Sequence, residues 1–104
     1  MRRVRLSRTF RDQLDELIAQ GFPKFGERVV TEKRNLVLDL INGHLARHPR
    51  RPRDSQHGMC VYTVSKTPFV LIYDYDDHEL RVLFIFYGSD DLRRLDPSTV
   101  EWDS

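Results

Sequence analysis

The stretch from Val61 to Gly88 constrains the fold more than any other part of the chain. Phe69-Val-Leu-Ile-Tyr-Asp-Tyr75 and Leu80-Arg-Val-Leu-Phe-Ile-Phe-Tyr87 are β-branched and aromatic runs of strand length. Thr67-Pro68 and Asp76-Asp77-His78 close them with turn chemistry. With Met59 to Lys66 they predict three consecutive strands in a meander. Strict alternation puts Phe69, Leu71 and Tyr73 opposite Val70 and Ile72, and Val82, Phe84 and Phe86 opposite Leu83, Ile85 and Tyr87. Both faces are then apolar, and such a sheet needs cover on both sides.

The first half of the chain supplies helices. Val4-Arg-Leu6 alternates like a short edge strand, Ser7 is placed as an N-cap, and Phe10, Leu14, Leu17 and Ile18 recur at helical spacing. Gly21-Phe-Pro23 predicts a break, after which a second helix carries Phe25, Val29, Val30, Leu36, Val37, Leu40, Ile41 and Leu45 to about His48, where Pro49 stops it. The expected architecture is α+β: an N-terminal strand and an antiparallel two-helix hairpin on one face of a small, mainly antiparallel sheet. The hairpin covers one face only. The other is left to the tail around Leu95, Val100 and Trp102, to a partner chain, or to both.

One domain is expected over residues 1 to 104, with a core from about 3 to 95 and a tail from 96 to 104. The composition, 39% hydrophobic and 32% charged, is that of a soluble globular chain rather than a disordered one. A single cysteine, Cys60, excludes an internal disulfide and a four-thiolate zinc site. No apolar run suits a bilayer, and Met1-Arg-Arg-Val-Arg-Leu6 lacks the apolar core of a signal peptide, so a cytoplasmic location without membrane contact is expected. Charge is divided unevenly. Residues 1–53 hold 13 Lys and Arg against 6 Asp and Glu, a balance of +7, whereas residues 54–104 hold 4 against 10, a balance of −6. The two halves can neutralise each other or face different partners.

Strand, helical hairpin, basic loop and three-strand meander, in that order, resemble the RelE/ParE superfamily of toxins from bacterial type II toxin–antitoxin modules. The landmarks are Leu6-Ser7, Leu45-Ala-Arg-His-Pro49, Gly58-Met-Cys-Val-Tyr62, Phe69-Val-Leu-Ile-Tyr73 with Asp76-Asp77, and Phe86-Tyr-Gly88 with Asp91-Leu92. The resemblance implies a growth-inhibiting protein of the kind that stabilises plasmids. A cognate antitoxin would silence it by protein–protein contact and carry the contact with operator DNA. The antitoxin-facing candidates are Val70, Ile72, Leu83, Ile85 and Trp102.

RelE-like members cut mRNA on the ribosome, and ParE-like members inhibit DNA gyrase. Metal-free RNA cleavage needs a base, an acid and cations for the developing phosphate charge. Alignment with the nuclease pattern puts Val61 and Thr63 where lysines are expected, Val70 and Asp90 where arginines are expected, and Gly88-Ser89 where related members hold a His-Tyr pair. The resemblance is therefore closer to the ParE-like, binding-type toxins, with no cofactor and no confident catalytic residue. The alternatives are an RNase with a rearranged site built from Lys66, Tyr73, Arg81 and Tyr87, and a non-toxic regulator of the same fold.

Other clusters have ordinary explanations. His44 and His48 stand at i,i+4, a spacing that can hold a metal, but no third ligand is nearby and helix C-termini favour cations. Asp74-Tyr-Asp-Asp-His-Glu79 has the composition of a hairpin turn rather than a calcium loop. Arg47, Arg50, Arg51 and Arg53 are candidates to contact a target or phosphates, set against a merely solvated loop. Cys60 is expected to pack as a small hydrophobe.

Overall fold

The computed structural model describes residues 2–88 and 95–103. Its elements are β1 (Arg3–Leu6), α1 (Arg8–Asp39), a π-helical segment (Leu40–Leu45), β2 (Cys60–Thr63), β3 (Phe69–Tyr75), β4 (Glu79–Tyr87) and a 3₁₀ turn (Pro97–Thr99). The sheet order is β1-β4-β3-β2, with β1 parallel to β4 and the other neighbours antiparallel. This is the expected α+β arrangement. Gly88-Ser-Asp-Asp-Leu92, a stretch whose sequence can open a short helix, lies outside the described residues beyond Gly88.

The helical hairpin forms, but its reversal is not at Gly21-Phe-Pro23. The one non-helical residue within α1 is Gly26, at φ 83° and ψ 161°. That conformation is open essentially to glycine alone. Pro23 cannot provide it, because its ring locks φ near −65°. Gly21 stays helical and has another role. A Cβ placed there would lie 2.9 Å from Val30 Cγ2. Nine residues of straight helix would separate the two by roughly 13 Å, so the limbs have folded back and touch where one residue lacks a side chain. Phe10 and Leu14 of the first limb share a core with Val37, Ile41 and Leu45 of the second.

The second helical run also ends differently from the expected close at His48. From Leu40 it widens into a π-helix, with Ala46 N–H donating to the Ile41 carbonyl. The wider turn lets Ile41, Leu45 and Ala46 all be fully buried.

Ser7 ties the first limb to the sheet. Its hydroxyl accepts from Phe10 N–H at 2.8 Å and donates to the Leu83 carbonyl at 2.7 Å. Leu83 is the extra residue of a β-bulge, since Ile72 pairs with Phe84 whereas Tyr73 pairs with Val82. The bulge corrects the alternation expected of β4. Leu80, Val82 and Ile85 join the helix-side core, while Leu83, Phe84 and Phe86 join Val70 and Ile72 on the outer side.

The outer side is covered by the protein's own tail. Leu95, Val100 and Trp102 pack on it together with Met59 and Val61. Glu101 fastens the tail to the start of α1, accepting from Arg8 N–H and donating its own N–H to Thr9 Oγ1. Arg11 pairs with Asp103, and the Arg5 guanidinium lies 4.6 Å from the centre of the Trp102 ring. A partner is therefore not required to bury this face.

Candidate functional site

The positions where a RelE-like nuclease would hold its cations fall on or beside this outer layer. Val61 and Val70 are part of its apolar cluster, beneath Val100 and Trp102. Thr63 pairs with Val70 and is exposed. Gly88 is a turn residue at φ 83°. Ser89 and Asp90 lie outside the described residues. At these positions, among the described residues, the chain offers a scissile phosphate hydrocarbon and a hydroxyl rather than a cation; the nearest guanidinium of the layer, Arg5, lies over the Trp102 ring.

The rearranged set is not brought together. Tyr73 is fully buried on the helix side, donating its hydroxyl to the Pro49 carbonyl at 2.6 Å. Burial pushes its pKa up, so it is a poor proton donor or acceptor at neutral pH. Arg81 is held by Asp74, Asp76 and Glu79. Six residues further along β4, roughly 20 Å away, Tyr87 is exposed and stacks edge-on against Phe69. Lys66 is at that same end, in the turn before β3 with φ 63°. The four therefore divide between the two ends of the sheet.

The antitoxin-facing candidates are also redistributed. Val70, Ile72 and Leu83 are buried on the outer face, Ile85 is buried on the helix side because of the bulge, and Trp102 is part of the cover. None of the four aliphatic side chains is available to a partner while the tail is in place.

Accessible apolar surface is found at the hairpin tip instead. Phe25 is 64% exposed, Tyr87 62% and Val29 42%. They line a cleft of about 360 Å³ whose floor is Leu14, Leu17, Ile18 and Val30 and whose far wall is Pro68 and Phe69. Lys24, Lys33 and Arg34 stand on its rim, and none forms an ion pair among the described residues. The sequence signal for this cleft is Phe25 and Val29, which exceed what one helix stripe buries. It looked like core because the hairpin was expected to turn before Phe25.

Of the carboxylates in Asp74-Tyr-Asp-Asp-His-Glu79, those of Asp74, Asp76 and Glu79 pair with Arg81. Asp76 Oδ1 accepts from the backbone of His78 and Glu79 and its Oδ2 pairs with Arg81, which together hold its pKa at about 2. His44 and His48 lie with ring centres 5.8 Å apart, and among the described residues no group of three or more His, Cys, Asp or Glu is placed to hold a metal. Cys60 is buried, and burial raises its thiol pKa. Among the described residues no helix is long and apolar enough to cross a membrane.

No protein-family model matches the chain, and no curated protein sequence does. A solved chain of the chromosomal ParDE TA system from P. aeruginosa superposes with a TM-score of 0.74 over 86% of this chain and 98% of that one, at 15% sequence identity. The fold is ParE-like. At that identity it is the ParE-like backbone that the two chains share, so roles for individual side chains must come from this chain's own residues.

Proposed function

We propose that this chain is the toxin half of a toxin–antitoxin pair, that it inhibits growth in the cytoplasm by binding its target rather than by cutting RNA, and that an antitoxin silences it. The observation that carries the reading is a ParE-like fold in which Val61, Thr63 and Val70, none of them a cation, stand where an RNase would need cations. The target within this reading is DNA gyrase. Uncovered sheet no longer argues for the antitoxin, because the tail provides that cover. The apolar cleft at the hairpin tip takes over, with its rim of Lys24, Lys33 and Arg34. A helical or extended segment with apolar anchors flanked by Asp or Glu is complementary to it.

Expression of the chain alone and with its neighbouring gene product tests the pairing, with growth, translation and supercoiling followed separately. Growth arrest with intact mRNA and blocked supercoiling, relieved by coexpression, is the expected result. Cut mRNA would overturn the binding mechanism, and the absence of any growth defect would leave a non-toxic regulator. Phe25→Asp with Val29→Asp alters exposed positions and should weaken antitoxin binding at least tenfold with an unchanged circular dichroism spectrum.

A further inference from the structure

The end of the molecule away from the hairpin tip carries a second surface that the proposed pairing does not use. Arg2 just before β1, Arg47 after the π-helical segment, and Arg50, Arg51 and Arg53 from the following loop converge there. Arg2 donates from its N–H and its Nη1 to the Ala46 carbonyl, next to Arg47. Only Arg53 of these five has a carboxylate partner among the described residues, Asp74 at 3.3 Å. The nearby carboxylate of Asp54 is taken up by the backbone N–H groups of Gln56, His57 and Met59. Arg2 lies against the neighbouring acidic turn, donating from Nε to the Asp76 carbonyl at 2.6 Å, and the carboxylates of Asp74, Asp76 and Glu79 in that turn are paired with Arg81. The charge of Arg47 and Arg50 therefore faces solvent.

Three of these guanidiniums are already oriented. Arg51 donates to the carbonyls of His48 and Arg50 and to His44 Nε2 at 2.7 Å, with its plane 4.9 Å from the centre of the Tyr62 ring. Since arginine has only donors, His44 Nε2 accepts in this pair. Arg2 and Arg53 each lie 5.3 Å from the centre of the Tyr75 ring. A guanidinium fixed on an aromatic ring offers its edge to a phosphate and its plane to a base, at little further loss of rotamer freedom.

We propose that this face binds single-stranded nucleic acid, RNA or DNA, through its phosphodiester backbone and without sequence preference. Arg47 and Arg50, exposed and without a carboxylate partner among the described residues, take phosphates, and the stacked arginines meet bases that are free of a duplex. The family resemblance gives DNA contact to the antitoxin; this surface adds a direct contact by the chain itself.

The test is fluorescence anisotropy of the full chain with labelled 12-nucleotide oligo(U), oligo(dT) and a 12-base-pair DNA duplex between 50 and 200 mM KCl. Single strands should bind in the micromolar range, with log K falling against log salt at a slope of about −3, as four or so phosphate contacts require. Arg47→Glu with Arg50→Glu should weaken binding at least tenfold. Lys24→Glu with Lys33→Glu makes the same change in net charge at the far end and should alter it less than threefold. Equal affinity for RNA and DNA assigns recognition to backbone and bases, and tenfold tighter RNA binding adds the 2′-hydroxyl. Equal losses in both double variants would reduce the effect to overall charge and overturn the site, as would duplex binding tighter than single-strand binding. Binding of polyglutamate but of neither strand would assign the face to an acidic protein instead. Amide shifts mapped by NMR on the unaltered protein, expected within residues 44–53 and around Arg2, Tyr62 and Tyr75, check the location without relying on a variant's folding.

Discussion

Ser7 and Asp76 show how far single polar side chains organise this chain. The Ser7 hydroxyl completes the first helical turn and satisfies the carbonyl of the bulged Leu83, 76 residues away, in a fully buried setting. Ser7→Ala removes the cap and strands that carbonyl, so a loss of about 2–3 kcal/mol is expected in urea unfolding. A loss of only a few tenths would mean that the bulge finds another donor. Asp76 makes a different kind of prediction. The backbone of His78, the Arg81 side chain and the backbone of Glu79 all favour its charged form, lowering its pKa to about 2. The folded pKa lies below the unfolded value of about 4. Its contribution is therefore complete above pH 4 and is lost as the pH falls towards 2. Carboxyl carbon shifts followed through an acid titration should show Asp76 as the late titrator, and Asp76→Asn should flatten this part of the stability profile.

Among the elements, the helical hairpin depends on one backbone conformation. Gly26 has open space around it, so a methyl group there meets no neighbour, yet its φ of 83° disfavours any side chain. Gly26→Ala should cost about 1–3 kcal/mol through backbone strain alone. Gly43→Ala, also in open space but helical and without a positive φ, should leave stability unchanged or raise it by up to about 1 kcal/mol. Thermal melts of the two variants separate conformation from crowding, and equal effects would remove Gly26 as the cause of the reversal. Sequence periodicity reveals both limbs, because burial of Phe10, Leu14, Val37 and Ile41 repeats along each. It does not reveal the turn, because Gly21, Pro23 and Gly26 are all breakers within six residues. Which of them reverses the chain depends on where the limbs touch.

At the scale of the whole molecule, the tail decides which surfaces are open. Trp102 is the chain's only tryptophan and lies on the outer face of the sheet. Trp102→Ala should lower stability by about 1–2 kcal/mol, a drop in melting midpoint of about 5–10 °C, and should increase binding of a hydrophobic dye. Unchanged dye binding would mean that the outer face is not sealed by the tail. The charge division has a similar molecular consequence. Only Arg53–Asp74 and Arg11–Asp103 link the basic half to the acidic half among the described residues, so most of the basic surplus points outward, at the cleft rim and at the arginine face.

What the sequence by itself determined is local. β3 is found at Phe69–Tyr75 as expected, β4 begins one residue early, Ser7 caps its helix, Cys60 is buried, and the Asp76 turn closes the β3–β4 hairpin. Each follows from propensity, periodicity or turn chemistry within a few residues. Tertiary structure alone decided the bulge at Leu83, the reversal at Gly26, the π-helical widening after Asp39 and the tail over the sheet. These arise where distant groups must satisfy or avoid one another: a serine hydroxyl and a carbonyl 76 positions apart, a glycine and a valine on facing limbs, a tail and a sheet face. They move Ile85 to the helix side, bury the expected partner surface, and leave the hairpin cleft and the arginine face as the exposed candidates.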